Sequence, residues 1–187
     1  MTPLIEDICH RRSVSPKHLR PPGPTAEQLS EMTRAACAGI DHGRLGPTRF
    51  VYITDDSRPA LADAFASAVV EADESAEERQ LAMARERAMA GPCLVSVIAR
   101  IVDCEDIPSH EQWIAMGAAL QNFMLAAASL GFAAKVVSGR RTGSGSLRAF
   151  FKLDANEFLV GFVAMGTTSE PARALPRRSP EQVISIV

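Results

Sequence analysis

Residues 113–134 contain no charged side chain, and this stretch constrains the fold more than any other part of the chain. Its length is about that of a bilayer-spanning helix. Its composition argues against spanning, because Ala and Gly dominate over Leu, and Gln121 and Asn122 would lie near the midplane. The flanks carry the punctuation of a water-exposed helix. Ser109 and Gln112 are spaced as a capping box, and Gly131 stands where the residue after a C-cap belongs. A helix apolar on all sides that does not cross a membrane must be buried, in a core or in a large subunit interface.

A core to receive it is available. The chain has 187 residues, of which 47% are hydrophobic and 22% charged, so one globular domain over residues 1–187 is expected, not a disordered chain. Aromatics supply only 5%, which leaves Ala, Leu, Val and Ile to fill the interior. Lys and Arg number 20 against 22 Asp and Glu, so no global basic field draws nucleic acid or an anionic membrane. Any anion must be held by a local group of arginines.

Cys9, Cys37, Cys93 and Cys104 are widely spaced with no C-x-x-C pair, as expected of free thiols in a reducing cytoplasm. The first eight residues carry two acids where a secretory signal has basic residues and a long apolar run, so export is not expected. No spacing of His, Asp or Glu suggests a metal site.

Apolar periodicity and turn residues predict a mixed α+β order with more helices than strands. A short helix begins at Pro3 and runs up to Arg11. Thr25 and Gln28 form a capping box for a second helix ending near Gly39. Strands are predicted over 49–54, 93–102, 133–138 and 158–165. Between them come a helix starting near Pro59, a charged helix capped by Ser75 and Glu78, the long apolar helix, and a short helix over 147–151.

Three places could carry chemistry. His10, Arg11, Arg12 and Ser13 put two guanidiniums and a hydroxyl at a helix end, suited to gripping a phosphate and equally to a solvated helix terminus. The loop from Asp41 to Pro47 holds His42 and Arg44 before a strand. Lys135 to Gly145 joins a strand to a glycine-rich loop with Arg140 and Arg141, although the glycine spacing matches neither the Walker pattern nor the dinucleotide fingerprint. No Ser, His and Asp set stands out by spacing and few obvious catalytic acids or bases appear, which favours a cofactor that carries the reactive atom.

Taken in order, Ile8-x-x-Arg11-Arg12-Ser13-Val14, Asp41-His42 with Pro47 and Phe50, Met116-Gly117-Ala118-Ala119 through Gly131-Phe132, the run from Phe158 to Thr167, and Pro176-Arg177-Arg178 with Glu181-Gln182-Val183 resemble the FMN-dependent nitroreductase family, in its short branch. The resemblance spreads over nearly the whole chain. It implies a three-layer α-β-α sandwich with a central mixed or antiparallel sheet, paired as an intertwined homodimer with FMN at the subunit seam. Arg11, Arg12 and Ser13 then match a flavin-contacting triplet, and Arg178 a tail residue that shares the phosphate. His42, Arg44 and Leu45 match a segment reaching the partner's flavin, while Val136, Val137, Ser138 and Gly139 match the strand end beside its ring. Arg12 or Lys17 would place a cation near the ring's N1. The implied activity is ping-pong two-electron transfer from NAD(P)H to nitroaromatic or related electrophiles, with a flavin-binding dimer of little turnover, a carrier or sensor, as the alternative. Thr48 stands where the family often has Trp, Val136 and Val137 where an aromatic and a basic residue are frequent, and Ser15 where a basic residue is common.

Overall fold

Four strands carry the scaffold: β1 (Thr48–Ile53), β2 (Cys93–Arg100), β3 (Ala133–Val137) and β4 (Glu157–Gly166). A computed structural model describes residues 2–169 and 176–186. The strands form one sheet in the order β1-β2-β4-β3, each neighbouring pair antiparallel. Among the described residues the parallel contact is a single bridge between Ser13 and Ala134 at the β3 edge.

The central strands are buried on both faces, so they read as continuous apolar runs. Along β2, Leu94 and Ile98 enter one core while Cys93, Val95, Val97 and Ala99 enter the other, as a period of two requires. The β4 pattern changes parity from Leu159 to Phe162 and Ala164, because the register shifts opposite Val97 and Ile98 and inserts Val160.

The described residues also form α-helices α1 (Pro3–His10), α2 (Ala26–Cys37), α3 (Arg58–Ala72), α4 (Glu78–Arg85), α5 (Ser109–Ser129) and α6 (Gly145–Phe150). Leu61, Phe65 and Val69 of α3, Ala84 of α4 and Leu147 of α6 cover the first face. Met32 and Ala36 of α2, with Met116, Phe123, Met124 and Ala127 of α5, cover the second. The result is the expected three-layer sandwich.

Helix ends show which local signals governed. The Thr25 N–H donates to Gln28 Oε1 at 2.9 Å and the Gln28 N–H returns to Thr25 Oγ1 at 3.3 Å, a capping box as expected. Gly131, at φ 86°, closes α5: its N–H donates to the Ala128 carbonyl and the Phe132 N–H to that of Ala127, which is the Schellman pair. Two expected caps differ. Ser109 caps nothing, because the Gln112 amide bonds backward instead, accepting from the Val102 N–H at 2.9 Å and donating to the Val102 and Ile107 carbonyls. Ser75 gives its hydroxyl to Asp73 at 2.6 Å, so α4 starts two residues later, behind Glu77 and Gln80.

Among the described residues no helix is long and apolar enough to cross a membrane. One face of α5 does meet the core, through Ala115, Met116, Phe123, Met124 and Ala127. The opposite face, with Trp113, Gly117 and a 56% exposed Ile114, is open in a single chain. Helix α1 buries none of its residues and leaves Leu4 68% exposed.

Candidate functional site

The site grows from the way the N-terminal segment leaves α1. The chain runs alongside β3: Ser13 bridges Ala134, and the Val14 N–H donates to the Ala134 carbonyl at 3.2 Å. Arg11 and Arg12 therefore sit at the start of β3, and Pro16 and Lys17 reach its far end.

Around Arg11 three guanidiniums gather. Arg12 Nη1 donates to the Arg11 carbonyl at 2.9 Å and also to that of Cys9, while Arg177 Nη2 donates to the Arg11 carbonyl at 2.8 Å. Arg11's own Nε and Nη1 are buried with no acceptor among the described residues. Burial, then the charges of Arg177 and Arg12, push its pKa below the ordinary guanidinium value. Left alone, such a cluster is costly, since buried N–H groups without acceptors and crowded like charges both raise the free energy. Its electrostatics suit an anion. A groove of about 410 Å³ opens beside it, lined by Val14, Phe132, Ala133, Thr167 and Thr168.

At the far end of β3 lies a cavity of about 490 Å³. Val137, Ser138 and Gly139 form one side, and Phe65, Leu147 and Phe162 an apolar floor; Met83 and Met89 add a flexible apolar wall. From Ala134 to Gly139 the strand covers roughly 16 Å, so groove and cavity together suit an extended ligand, anionic at one end and flat at the other. The strand end is locked by a tight approach. Ser138 Oγ donates to the Val160 carbonyl at 2.6 Å, and a Cβ on Gly161 would come within 2.6 Å of the Val137 carbonyl oxygen.

The wall is braced by a buried arginine. Arg58 is 4% exposed, and its guanidinium donates to the carbonyls of Ala88, Gly91 and Pro92 and to Asp55. These bonds fix the turn that presents Glu86, Arg87 and Met89 to the cavity.

The third group of candidates stands elsewhere. His42, Arg44 and Leu45 occupy a tight turn: the Asp41 carboxylate accepts from the Leu45 and Gly46 N–H groups, and Gly43 packs so closely that a Cβ would lie 2.1 Å from Ile107 Cδ1. His42 Nδ1 lies 2.7 Å from Glu111 Oε2, at the first turn of α5. Ala128, near the other end of α5, lines the arginine groove. Glu111 and Ala128 are about 25 Å apart along the helix axis, so one chain does not bring this turn to the arginines.

The structure thus gathers Arg11, Arg12 and Ser13 at one end of β3 and Val137, Ser138 and Gly139 at the other, with Val136 on the strand between them. Arg178 is exposed, and its neighbour Arg177 makes the bond to Arg11. Sequence reasoning also missed Arg58, Arg87 and the two methionines. Their charges and sulfurs were visible, but nothing local joined them to a cavity.

The sequence profile described as the Nitroreductase family matches residues 8–167. A Haemophilus influenzae protein named "Putative NAD(P)H nitroreductase" is 33% identical over 159 residues, 84% of this chain and 85% of that protein. In fold, a nitroreductase-like family protein from Bacillus cereus superposes with a TM-score of 0.85 at 20% identity, covering 100% of this chain and 97% of the other. The Y88A mutant of an FMN- and NADPH-dependent nitroreductase, NfnB, from Sphigopyxis gives 0.78 at 19% identity, with 99% of each chain covered.

Proposed function

The chain belongs to the nitroreductase family of oxidoreductases, and from that premise we propose that it binds FMN and passes two electrons from NAD(P)H to nitroaromatic or related electrophilic acceptors. The observation that carries this reading is the Arg11 guanidinium, partly buried with two nitrogens unmatched and two further arginines around it. A phosphate dianion supplies the acceptors and the charge that this cluster lacks. Arg11 and Arg177 would hold it, with Arg12 contributing charge, and Arg178 lies next in sequence to assist. Ser13 and Val14 border the connecting path. Val136, Val137, Ser138 and Gly139 would flank the ring.

When bound, FMN supplies the reversible hydride acceptance that no side chain offers. The chain's residues bind, orient and screen. Lys17 lines the same cavity as Ser138 and Gly139, whereas Arg12 spends a donor nitrogen on the carbonyls closing α1. Lys17 is therefore the better placed cation to stabilise negative charge on the reduced cofactor. The apolar floor and methionine wall limit water there. One cavity must admit NAD(P)H and then the acceptor, which is the basis for a ping-pong order. For a nitroarene the first reduction balances as ArNO₂ + NAD(P)H + H⁺ giving ArNO + NAD(P)⁺ + H₂O.

We take the working unit to be a homodimer in the cytoplasm. The open apolar faces of α1 and α5 support pairing, and so does the distance of His42, Arg44 and Leu45 from the arginines, since a second copy could bring that turn to the site. The test is the visible spectrum of the purified protein, followed by anaerobic mixing with NADPH or NADH. A yellow protein that bleaches and is reoxidised by a nitroarene is expected. A colourless protein refutes the proposal, and a yellow one that never bleaches favours the carrier or sensor.

A further inference from the structure

The cavity of about 490 Å³ has a charge pattern that neither cofactor grip nor hydride transfer requires. Lys17, Arg87 and Arg141 line it against one acid, Glu86. With Lys17 assigned to the cofactor, two guanidiniums are left over. Among the described residues neither bonds a carboxylate, and Asp73, whose carboxyl feels Arg141, accepts at Oδ1 from both the N–H and the hydroxyl of Ser75.

Both arginines stand on braced backbone. Arg58 pins the turn that follows Arg87 through the carbonyls of Ala88, Gly91 and Pro92. The Arg141 carbonyl accepts from the Ser144 N–H at 3.0 Å, and the Thr142 N–H donates to the Gly139 carbonyl, closing the turn at the strand end. Phe65, Phe162, Met83 and Met89 line the same cavity, an aromatic and sulfur lining suited to a flat ring.

Resting on the flavin reading above, we infer that this cavity selects aromatic acceptors that carry a second, anionic group, an arenecarboxylate in the first instance, with Arg87 and Arg141 as the residues that set this preference. The acceptor ring lies against the methionine wall, in the part of the cavity that a bound flavin would leave open, and the carboxylate meets planar guanidiniums that can pair with it through two parallel hydrogen bonds. Arg87 is solvent-exposed, which places the gain at the low end for charge-assisted contacts.

The experiment is calorimetric titration of the protein as purified with 4-nitrobenzoate and with its neutral isostere 4-nitrobenzamide, while visible absorption reports flavin content. The expected result is about tenfold tighter binding of the acid, shrinking as salt is raised. An Arg87→Gln/Arg141→Gln double variant should abolish the difference, weakening the acid and leaving the amide within about twofold. Arg140→Gln, beside Arg141 but not lining the cavity, should keep it. A yellow protein that binds acid and amide alike, or a difference that survives in the double variant, overturns the inference and leaves the flavin reading intact. A colourless protein that still shows the arginine-dependent difference overturns the flavin reading and supports the anion preference. Colourless protein with no difference overturns both.

Discussion

Replacing Arg11 by Met separates an anion grip from a structural role, because the two predict opposite effects on the cofactor-free protein. The bonds that order this corner go to the Arg11 main-chain carbonyl, from Arg12 and Arg177, and survive the substitution. What disappears is a partly buried cation whose Nε and Nη1 have no acceptor and which sits against two like charges. The apoprotein should therefore hold its stability within about 0.5 kcal/mol or gain slightly, since removing an uncompensated buried charge relieves a penalty. Flavin binding loses a charge-assisted phosphate contact of about 2–3 kcal/mol, roughly a 30- to 150-fold weaker Kd. Urea melts of the apoprotein and quenching of free FMN fluorescence measure the two quantities independently. Arg177→Ala should weaken FMN more than Arg178→Ala does, because Arg177 is the residue bonded at Arg11. If Arg11→Met unfolds the apoprotein by more than about 1 kcal/mol while leaving FMN affinity unchanged, the cluster is structural and the phosphate belongs elsewhere.

Other outcomes follow from the same geometry. Arg49 bonds Glu157 through two nitrogens at 2.9 and 2.7 Å, and this contact holds the buried Glu157 carboxyl below the usual carboxylate pKa. A depressed acid stabilises the fold above its unfolded pKa of about 4.3 and loses that contribution as pH falls through the lower folded value. Glu157→Gln should thus cost about 2 kcal/mol in melts at neutral pH, and it should flatten the acid side of the stability profile; an unchanged acid slope contradicts the assignment. Gly161→Val would drive its side chain into the Val137 carbonyl and Ser138, so it should lose about 1–3 kcal/mol of stability and bind flavin poorly; normal melts with full colour argue against that packing. Burial pushes the Cys93 thiol up to about 11, so at pH 8 it should resist a disulfide reagent until denaturant is added, and rapid labelling in the folded protein disproves the burial.

The sequence was most legible where a signal closed on itself locally. Thr25 and Gln28 exchange their bonds within one turn, and Gly131 ends α5 through carbonyls three and four residues back, so short patterns determined both. It misled where a distant backbone group competed for the same atom. Gln112 looked committed to Ser109 and instead satisfies Val102 after β2, because an irregular segment leaving a buried strand must find partners. The meeting of tail and N-terminal arginines was legible in type but not in detail: the resemblance paired Arg178 with Arg11, yet spacing cannot say which of two adjacent side chains turns toward Arg11, and it is Arg177 that does. Arg58 was invisible for the opposite reason. Its carbonyl acceptors lie thirty or more residues onward, and only the folded sheet brings them to it.

The length of α5 has a genetic consequence. In the paired assembly proposed above, each centre draws its two ends from different polypeptides, since the His42 turn and the Arg11 groove stand about 25 Å apart on any one of them. Lesions at the two ends should then complement one another. Chains lacking Arg11 and chains lacking the His42 turn, produced in the same cell, would form mixed assemblies in which one centre inherits both defects and the other inherits neither.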